Sequence, residues 1–153
     1  MGLDISHGAW HGAYSAFTRW RTEIARLAGI KLSLMEGFYG FAGGSSWDDV
    51  TKGKDLDSHF PFGYYFKEIH PLLPLKWDSL KPDPLHVLLD HSDCDGDISP
   101  FNAAKIADRL QELLPLLPSG DAGGHIGNWR DKTTEFITGC RLAASNNEPL
   151  HFA

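Results

Sequence analysis

Two stretches of the chain repeat apolar residues at alternating steps of four and three, and this spacing constrains the fold more than any other feature. The first series is Ala13, Phe17, Trp20, Ile24 and Leu27. The second series is Trp129, Thr133, Phe136, Cys140 and Ala143. Such steps place side chains on one face of an α-helix. We therefore predict amphipathic helices from about residue 13 to 28 and from about 128 to 145, with charged residues such as Arg21 off the apolar stripe.

Two further helix starts are marked by a capping residue followed by proline. Asp83 precedes Pro84, and Ser99 precedes Pro100. Proline suits the first helical position because its φ is already helical and it has no N–H that needs a partner. We predict a short helix after Pro84, with a short buried strand over 86–89 as the alternative. The helix after Pro100 carries a longer apolar series, namely Ala103, Ile106, Leu110, Leu113 and Leu117.

Short alternating segments predict strands near both ends of the chain. Leu3 and Ile5 alternate with polar residues, residues 30–35 alternate in the same way, and residues 150–152 supply a terminal strand beside the first one. A long loop is expected at about 37–70, where glycine and aromatic residues follow no lasting period. The chain is predicted to be a single α+β domain, with three or four helices packed on a small sheet of short strands near both termini.

Charge and composition narrow the functional classes. The formal net charge is −6 and the pI is about 5.7, which disfavours a nucleic-acid partner because such proteins need a basic face for the phosphates. The sequence has no run of about 20 apolar residues and no basic-then-apolar leader, so we expect no membrane partner. Two cysteines are too few for a disulfide framework. These features favour a cytoplasmic protein with both thiols free.

The densest group of ionisable residues is the acidic loop, which we define as residues 90–99. Its aspartates are Asp90, Asp93, Asp95 and Asp97. Closely spaced carboxylates repel one another, and a bound cation relieves that repulsion. Oxygen-rich loops with a glycine at a sharp turn suit hard cations such as calcium or magnesium. We therefore predict a divalent-cation site. Its predicted ligands are Asp93, Asp95 and Asp97, assisted by His91 or Ser99.

The acidic loop matches an EF-hand calcium loop only in part. Gly96 falls at the glycine position, and Asp97 would then offer its backbone carbonyl. However, His91 stands where the first aspartate belongs, and Asn102 replaces the bidentate glutamate. Two strong ligands are therefore missing, and we expect a looser divalent site rather than a full EF-hand.

Two other interpretations of the acidic loop stay open. In the first, the loop is a solvated capping turn in which Asp97 or Ser99 caps the next helix and Gly96 takes a positive φ. In the second, Cys94 acts as a nucleophile with His91 as its base, although flanking carboxylates disfavour a thiolate. Residues adjacent in sequence need not meet in space, so the sequence does not choose between these interpretations.

The segment before the first helix contains a second group of candidate ligands. His7 and His11 are four residues apart, a spacing that puts two imidazoles on one helical face for zinc. The intervening glycine and the missing glutamate of the His-Glu-x-x-His motif argue for two partly exposed loop histidines instead. A third possibility is a mixed site, in which Asp4, His7 or His11 folds against His91 and Asp93.

Three segments together resemble a group of small uncharacterised bacterial and phage proteins. They are the opening Met-Gly-Leu-Asp-Ile with residues 12–17, the His-Ser-Asp-Cys-Asp-Gly loop within 91–100, and residues 136–144. The resemblance covers most of the chain and implies a cytoplasmic setting. It implies no particular chemistry, because the group has no assigned activity.

Three functions are compatible with the sequence. The leading one is a protein of open biological role that binds a divalent cation at the acidic loop. The second is a phage or prophage interaction protein, whose acidic surface engages a protein partner without metal chemistry. The third is a metal-dependent hydrolase that combines the same loop with His7 or His11.

Overall fold

A computed structural model describes residues 2–30, 32, 35–36, 75–79, 82–123 and 126–153. Within these residues, short strands and helices follow one another along the chain. The strands are β1 (Gly2–Ile5), β2 (Trp10–Ala13), β3 (Asp97–Ile98) and β4 (Leu150–His151). The helices are α1 (Tyr14–Leu27), α2 (Leu85–Leu89), α3 (Pro100–Leu113) and α4 (Trp129–Ser145). The predicted α+β class, with four helices among the described residues and strands near both termini, is confirmed.

The helix starts follow the capping chemistry that the sequence predicts. The Asp83 carboxylate accepts a hydrogen bond from the Leu85 backbone N–H at 2.9 Å, so the residue after Pro84 is helical rather than extended. The Ser99 hydroxyl accepts from the Asn102 N–H at 3.2 Å at the start of α3. Each cap satisfies an N–H that has no partner within its own helix.

The strand predicted over 30–35 is wrong for the residues that the structure describes. Leu32 lies in a short helical turn, and Met35 donates its N–H to the Leu32 carbonyl at 3.0 Å. Met35 then forms an isolated parallel bridge with Leu75. Ile30, Leu32 and Met35 are buried, and the spacing of three between Leu32 and Met35 is that of a helical turn rather than of a strand. The long loop predicted at about 37–70 lies outside the described residues.

The C-terminal tail, residues 150–153, joins two small antiparallel sheets. β1 pairs with β2 and β3 pairs with β4. The tail continues past β4 and lies along β1, where the backbones of Asp4 and Ala153 exchange two hydrogen bonds of 2.9 Å. An isolated bridge between Ile5 and Phe152 supports the same pairing. The predicted placement of the terminal strand beside the first strand is therefore confirmed, and the tail lies between β1 and β3.

The core is built around aromatic rings from both predicted helices. Trp20 of α1 packs against Phe136 of α4 with ring centroids 4.8 Å apart, and against Trp10 of β2 at 5.4 Å. All three are almost completely buried. The indole N–H of Trp20 donates to the Thr133 hydroxyl at 3.0 Å, which removes the penalty of burying an unpaired donor. The two amphipathic helices thus meet along the faces that their spacing predicts.

A glycine allows α4 to pack directly on the turn between β1 and β2. A Cβ added at Gly139 would lie 2.5 Å from the Ala9 Cβ, 2.6 Å from its Cα and 2.8 Å from its backbone nitrogen. Ala9 is completely buried, and backbone atoms cannot move aside as a flexible side chain can. This close approach sets how the end of α4 lies against the N-terminal segment.

We predict that Gly139→Ala destabilises the protein. Alanine is better than glycine in a helix interior by about 1 kcal/mol, but steric overlap with the Ala9 backbone outweighs that gain, so a net loss of about 1–3 kcal/mol is expected. Chemical denaturation measures the loss. The neighbouring exposed substitution Thr138→Ala is the control and should change stability by less than about 0.5 kcal/mol. A stabilised Gly139→Ala variant would contradict this packing.

Candidate functional site

The tail brings the N-terminal segment and the acidic loop to opposite sides of one strand. Asp4 of β1 and His11 of β2 are register partners whose side chains contact each other. Asp97 of β3 and His151 of β4 are partners in the same way, with the His151 Nδ1 2.6 Å from the Asp97 carboxylate. All four side chains are exposed. The site is therefore a solvent-facing surface with two cross-strand histidine–aspartate pairs.

His91 fills the inside of the acidic loop. Its Nδ1 lies 2.8 Å from the Ser92 carbonyl and its Nε2 lies 3.2 Å from the Asp97 carbonyl. The ring also packs on Phe152 with centroids 4.1 Å apart, and a Cβ at Gly96 would lie 3.4 Å from it. The imidazole thus lies against the backbone of the loop, between the carbonyls of Ser92 and Asp97.

A buried arginine holds the start of the acidic loop. Arg21 of α1 is 2% exposed, and one of its terminal nitrogens donates to the carbonyls of Leu88, Leu89 and His91 at 3.4, 3.3 and 2.7 Å. The first two carbonyls belong to the last turn of α2, where the Leu88 carbonyl also accepts from the His91 backbone N–H at 3.4 Å. Loss of hydration on burial lowers the pKa of Arg21 to about 10, while nearby Asp93 and Asp90 act in the opposite direction. The side chain is therefore a cation at neutral pH.

The prediction that charged residues of α1 lie off its apolar face is wrong for Arg21. Its guanidinium lies 4.5 Å above the ring of Phe17, which is four residues earlier and on the same side of the helix. Arg21 is four residues after Phe17 and three residues before Ile24, and both spacings place side chains on one face of a helix. This spacing indicates that Arg21 lies on the apolar face, but its charge led to the prediction that it lies off that face.

The predicted cation ligands are not gathered into one cluster. Asp97 pairs with His151, the Ser99 hydroxyl caps α3, and the His91 nitrogens face carbonyls. Asp95 is exposed and Asp93 is half-buried. Across the described ranges, no group of three or more histidine, cysteine, aspartate and glutamate side chains is placed to hold a metal ion. The Ser99 cap and the φ of 92° at Gly96 are features of the capping-turn interpretation.

The N-terminal histidines also divide between separate partners. His11 contacts Asp4, whereas the His7 Nε2 lies 3.7 Å from a carboxylate oxygen of Glu148. His7 Nδ1 lies 2.9 Å from the hydroxyl of the adjacent Ser6. The two imidazoles therefore do not share a ligand, and the mixed site with the acidic loop does not form among the described residues.

The pairing of Cys94 with His91 as nucleophile and base does not occur in this arrangement. Both His91 nitrogens face backbone carbonyls. The Cys94 thiol instead lies 3.4 Å from the Ser92 hydroxyl and 3.9 Å from the Asp95 carboxylate. Neither contact is with a base suited to activating a thiol.

Several residues of this surface were missed by sequence reasoning. Ser6, Glu148 and His151 come together because the tail returns to β1, and the His151 N–H donates to the Ser6 hydroxyl at 2.8 Å. Ser6 and Glu148 lie near opposite ends of the chain, and no local pattern links them. The predicted terminal strand beside β1 was the only signal that pointed to this proximity.

Comparison of the chain with protein-family models, curated proteins and solved structures finds no match. The resemblance to small bacterial and phage proteins therefore stays an expectation. No helix in the described part of the chain is long and apolar enough to cross a bilayer. Function has to be argued from the residues of this surface.

We predict that Arg21→Met destabilises the protein by about 2–5 kcal/mol, because the carbonyls of Leu89 and His91 lose a donor and Asp90 and Asp93 lose a nearby cation. Methionine keeps much of the side-chain volume. Arg26→Met on the same helix removes an exposed arginine that pairs with Glu23 and should change stability by less than about 1 kcal/mol. Equal losses in the two variants, measured by denaturant unfolding, would show that Arg21 does not anchor the loop.

The two cysteines should differ sharply in reactivity. Burial raises the pKa of the Cys140 thiol to about 12, whereas Cys94 is exposed. Since the thiolate is the reactive form, a disulfide reagent at about pH 8 should titrate one thiol quickly in the native protein and two in denaturant. Cys94→Ser should abolish the fast reaction. Rapid loss of both native thiols would contradict the burial of Cys140.

Proposed function

We propose that the acidic loop binds a divalent cation on its outer side, through the carboxylates of Asp95 and Asp93. The supporting observation is the uneven pairing of the four loop aspartates. Asp90 has His86 at 3.6 Å, and Asp97 has His151 at 2.6 Å. Asp95 is exposed, and within the described residues its carboxylate contacts only the thiol of Cys94. Among the residues that the structure describes, its charge therefore has no cationic partner.

Asp93 interacts with buried Arg21 and would also interact with an ion at the proposed site. Its negative charge raises the pKa of buried Arg21, although the loss of hydration lowers that pKa more strongly. The Asp93 carboxylate therefore already stabilises a cation of the protein. Asp93 is half-buried, so its carboxylate acts on Arg21 and is also partly accessible to solvent. Asp95 is consequently the principal ligand of the proposed site, and water completes the coordination. Hard divalent cations accept such sets of carboxylate and water oxygens.

A site with so few protein ligands binds weakly. Open oxygen sites hold calcium with dissociation constants of about 10⁻⁴–10⁻³ M, a range typical of extracellular modules. For the cytoplasmic protein that the sequence predicts, magnesium is the more suitable natural ion, because it keeps several waters and needs only one or two carboxylates. The formal net charge of −6 favours cations at this surface in general.

The test is thermal unfolding with ion or with chelator. At about 10 mM ion, the expected affinity stabilises the native protein by about 1–3 kcal/mol, which raises the melting temperature by several degrees. Asp95→Asn should remove most of that rise and leave the melting temperature in chelator unchanged. Asp97→Asn should lower the melting temperature in both conditions, because it also breaks the pair with His151.

Asp131→Asn is the matched control, because it removes an exposed aspartate in the first turn of α4. It should keep the full ion-dependent rise. A wild-type melting temperature that does not change with calcium, magnesium, manganese or zinc would refute the proposal. The acidic loop would then be a capping turn, and its exposed carboxylates would be candidates for contact with a basic protein partner instead.

A further inference from the structure

Three side chains from the two ends of the chain lie in a line, with a hydrogen bond between Ser6 and His7 and an ion-pair contact between His7 and Glu148. The Ser6 hydroxyl lies 2.9 Å from His7 Nδ1, and His7 Nε2 lies 3.7 Å from the Glu148 carboxylate. The His7 side chain is 14% exposed and that of Glu148 is 56% exposed. The imidazole is thus held between a hydroxyl and a carboxylate at the edge of the protein. We name these three residues the serine relay.

The backbone at the centre of the serine relay is in an unfavourable conformation. His7 has φ 62° and ψ 19°, in the left-handed region. A residue with a Cβ is less stable there than in the right-handed region by about 1–2 kcal/mol. Gly8 follows with φ 71° and continues the turn without such a penalty. Strained positions of this kind cluster at functional sites, and here the strain turns the imidazole between Ser6 and Glu148.

One arrangement of the protons satisfies the contacts of Ser6 and His7 together. The Ser6 oxygen accepts from the His151 backbone N–H at 2.8 Å, and its own O–H can then donate to His7 Nδ1. With Nδ1 as acceptor, the neutral ring carries its proton on Nε2, the nitrogen that faces Glu148. A hydroxyl oxygen has two lone pairs, so one lone pair of Ser6 is left after the bond from His151. That lone pair is the one available for attack on an electrophile.

We propose that the serine relay is an acyl-transfer site, with Ser6 as nucleophile, His7 as general base and Glu148 as a positioning residue. The arrangement satisfies the general requirement for an activated serine, namely a hydroxyl within hydrogen-bond reach of a base that a third group orients. The substrate class is a carboxylic ester, because an activated hydroxyl attacks its carbonyl carbon, and Ser6 is half-buried rather than enclosed.

The reaction balances with water as the only co-reactant. The Ser6 oxygen forms a bond to the ester carbonyl carbon while its proton passes to His7 Nδ1. The bond from that carbon to the leaving oxygen then breaks, and the alcohol takes the proton from His7. Water next attacks the acyl group on Ser6 with His7 again as the base, which releases the acid and restores the hydroxyl. Glu148 stabilises the imidazolium that forms in each half.

A fluorophosphonate probe tests this site on the full chain. Its phosphorus should bond to the Ser6 oxygen with loss of fluoride, which intact mass shows as one adduct and peptide mapping places at residue 6. His7→Gln should slow labelling by at least about 100-fold, the lower end of general-base contributions. Ser15→Ala removes an exposed serine on α1 and should leave labelling unchanged.

Glu148→Gln tests the positioning role, since it keeps the size of the side chain and removes its charge. Labelling should be slower, and nitrogen NMR of the His7 ring should show a changed tautomer balance at an unchanged melting temperature. Chelator should not affect labelling, which separates this site from the proposed cation site. Absence of an adduct at Ser6, or an equal rate in His7→Gln, would overturn the proposal. Because mapping is done on the wild-type chain, the conclusion does not depend on a variant that fails to fold.

Discussion

The contact of buried Arg21 with the end of α2 is the interaction on which the rest of the surface depends. A guanidinium at 2% exposure has lost nearly all its water, and only compensating partners make such burial tolerable. Arg21 finds carbonyls at the end of α2, the ring of Phe17 and the field of Asp90 and Asp93. Every one of these partners helps to place the first residues of the acidic loop. The loop is therefore positioned from inside the core, and its carboxylates have a structural role before any ligand is considered.

The C-terminal tail is the second constraint, because it connects elements that the sequence keeps apart. Its backbone pairs with β1 on one side and with β3 on the other, and the Phe152 N–H donates to the Gly96 carbonyl at 2.9 Å. Phe152 is buried beneath His91 and near Phe17. The same few residues thus complete the core, hold the acidic loop and carry His151 to the surface. Strands this short are stabilised by such side-chain burial more than by their few hydrogen bonds.

Periodicity and capping predicted much of the fold, because those signals are local. The bounds of α1 and α4 follow the apolar steps, and α2 and α3 begin where a capping residue precedes proline. The prediction of a strand over 30–35 failed because Leu32 and Met35, which are three residues apart and both buried, belong to one helical turn. The prediction for Arg21 failed because hydrophobic patterning treats every charged residue as exposed. A buried cation needs partners from another helix, and a local pattern does not contain them.

The site was less predictable than the fold, for a physical reason. The acidic loop was visible in the sequence because repulsion between neighbouring carboxylates is a local property. The Asp97 carboxylate is paired by His151 and the charge of Asp93 acts on Arg21, and both partners lie far away along the chain. Ser6 and Glu148 lie on either side of His7 because the tail pairs with β1 and α4 packs closely on Ala9 at Gly139.

The capping turn and the proposed cation site are compatible, because they would use different atoms of the same loop. The turn uses the Ser99 hydroxyl, the positive φ of Gly96 and the carbonyls that face His91. These groups point inward or along the backbone, and they are satisfied without any ion. The Asp95 carboxylate takes no part in them and faces solvent. A loop that is already folded loses little conformational freedom when an ion binds, so even one or two free carboxylates suffice for a weak site. The same pre-folding means that ion binding adds stability to the loop without being needed to form it.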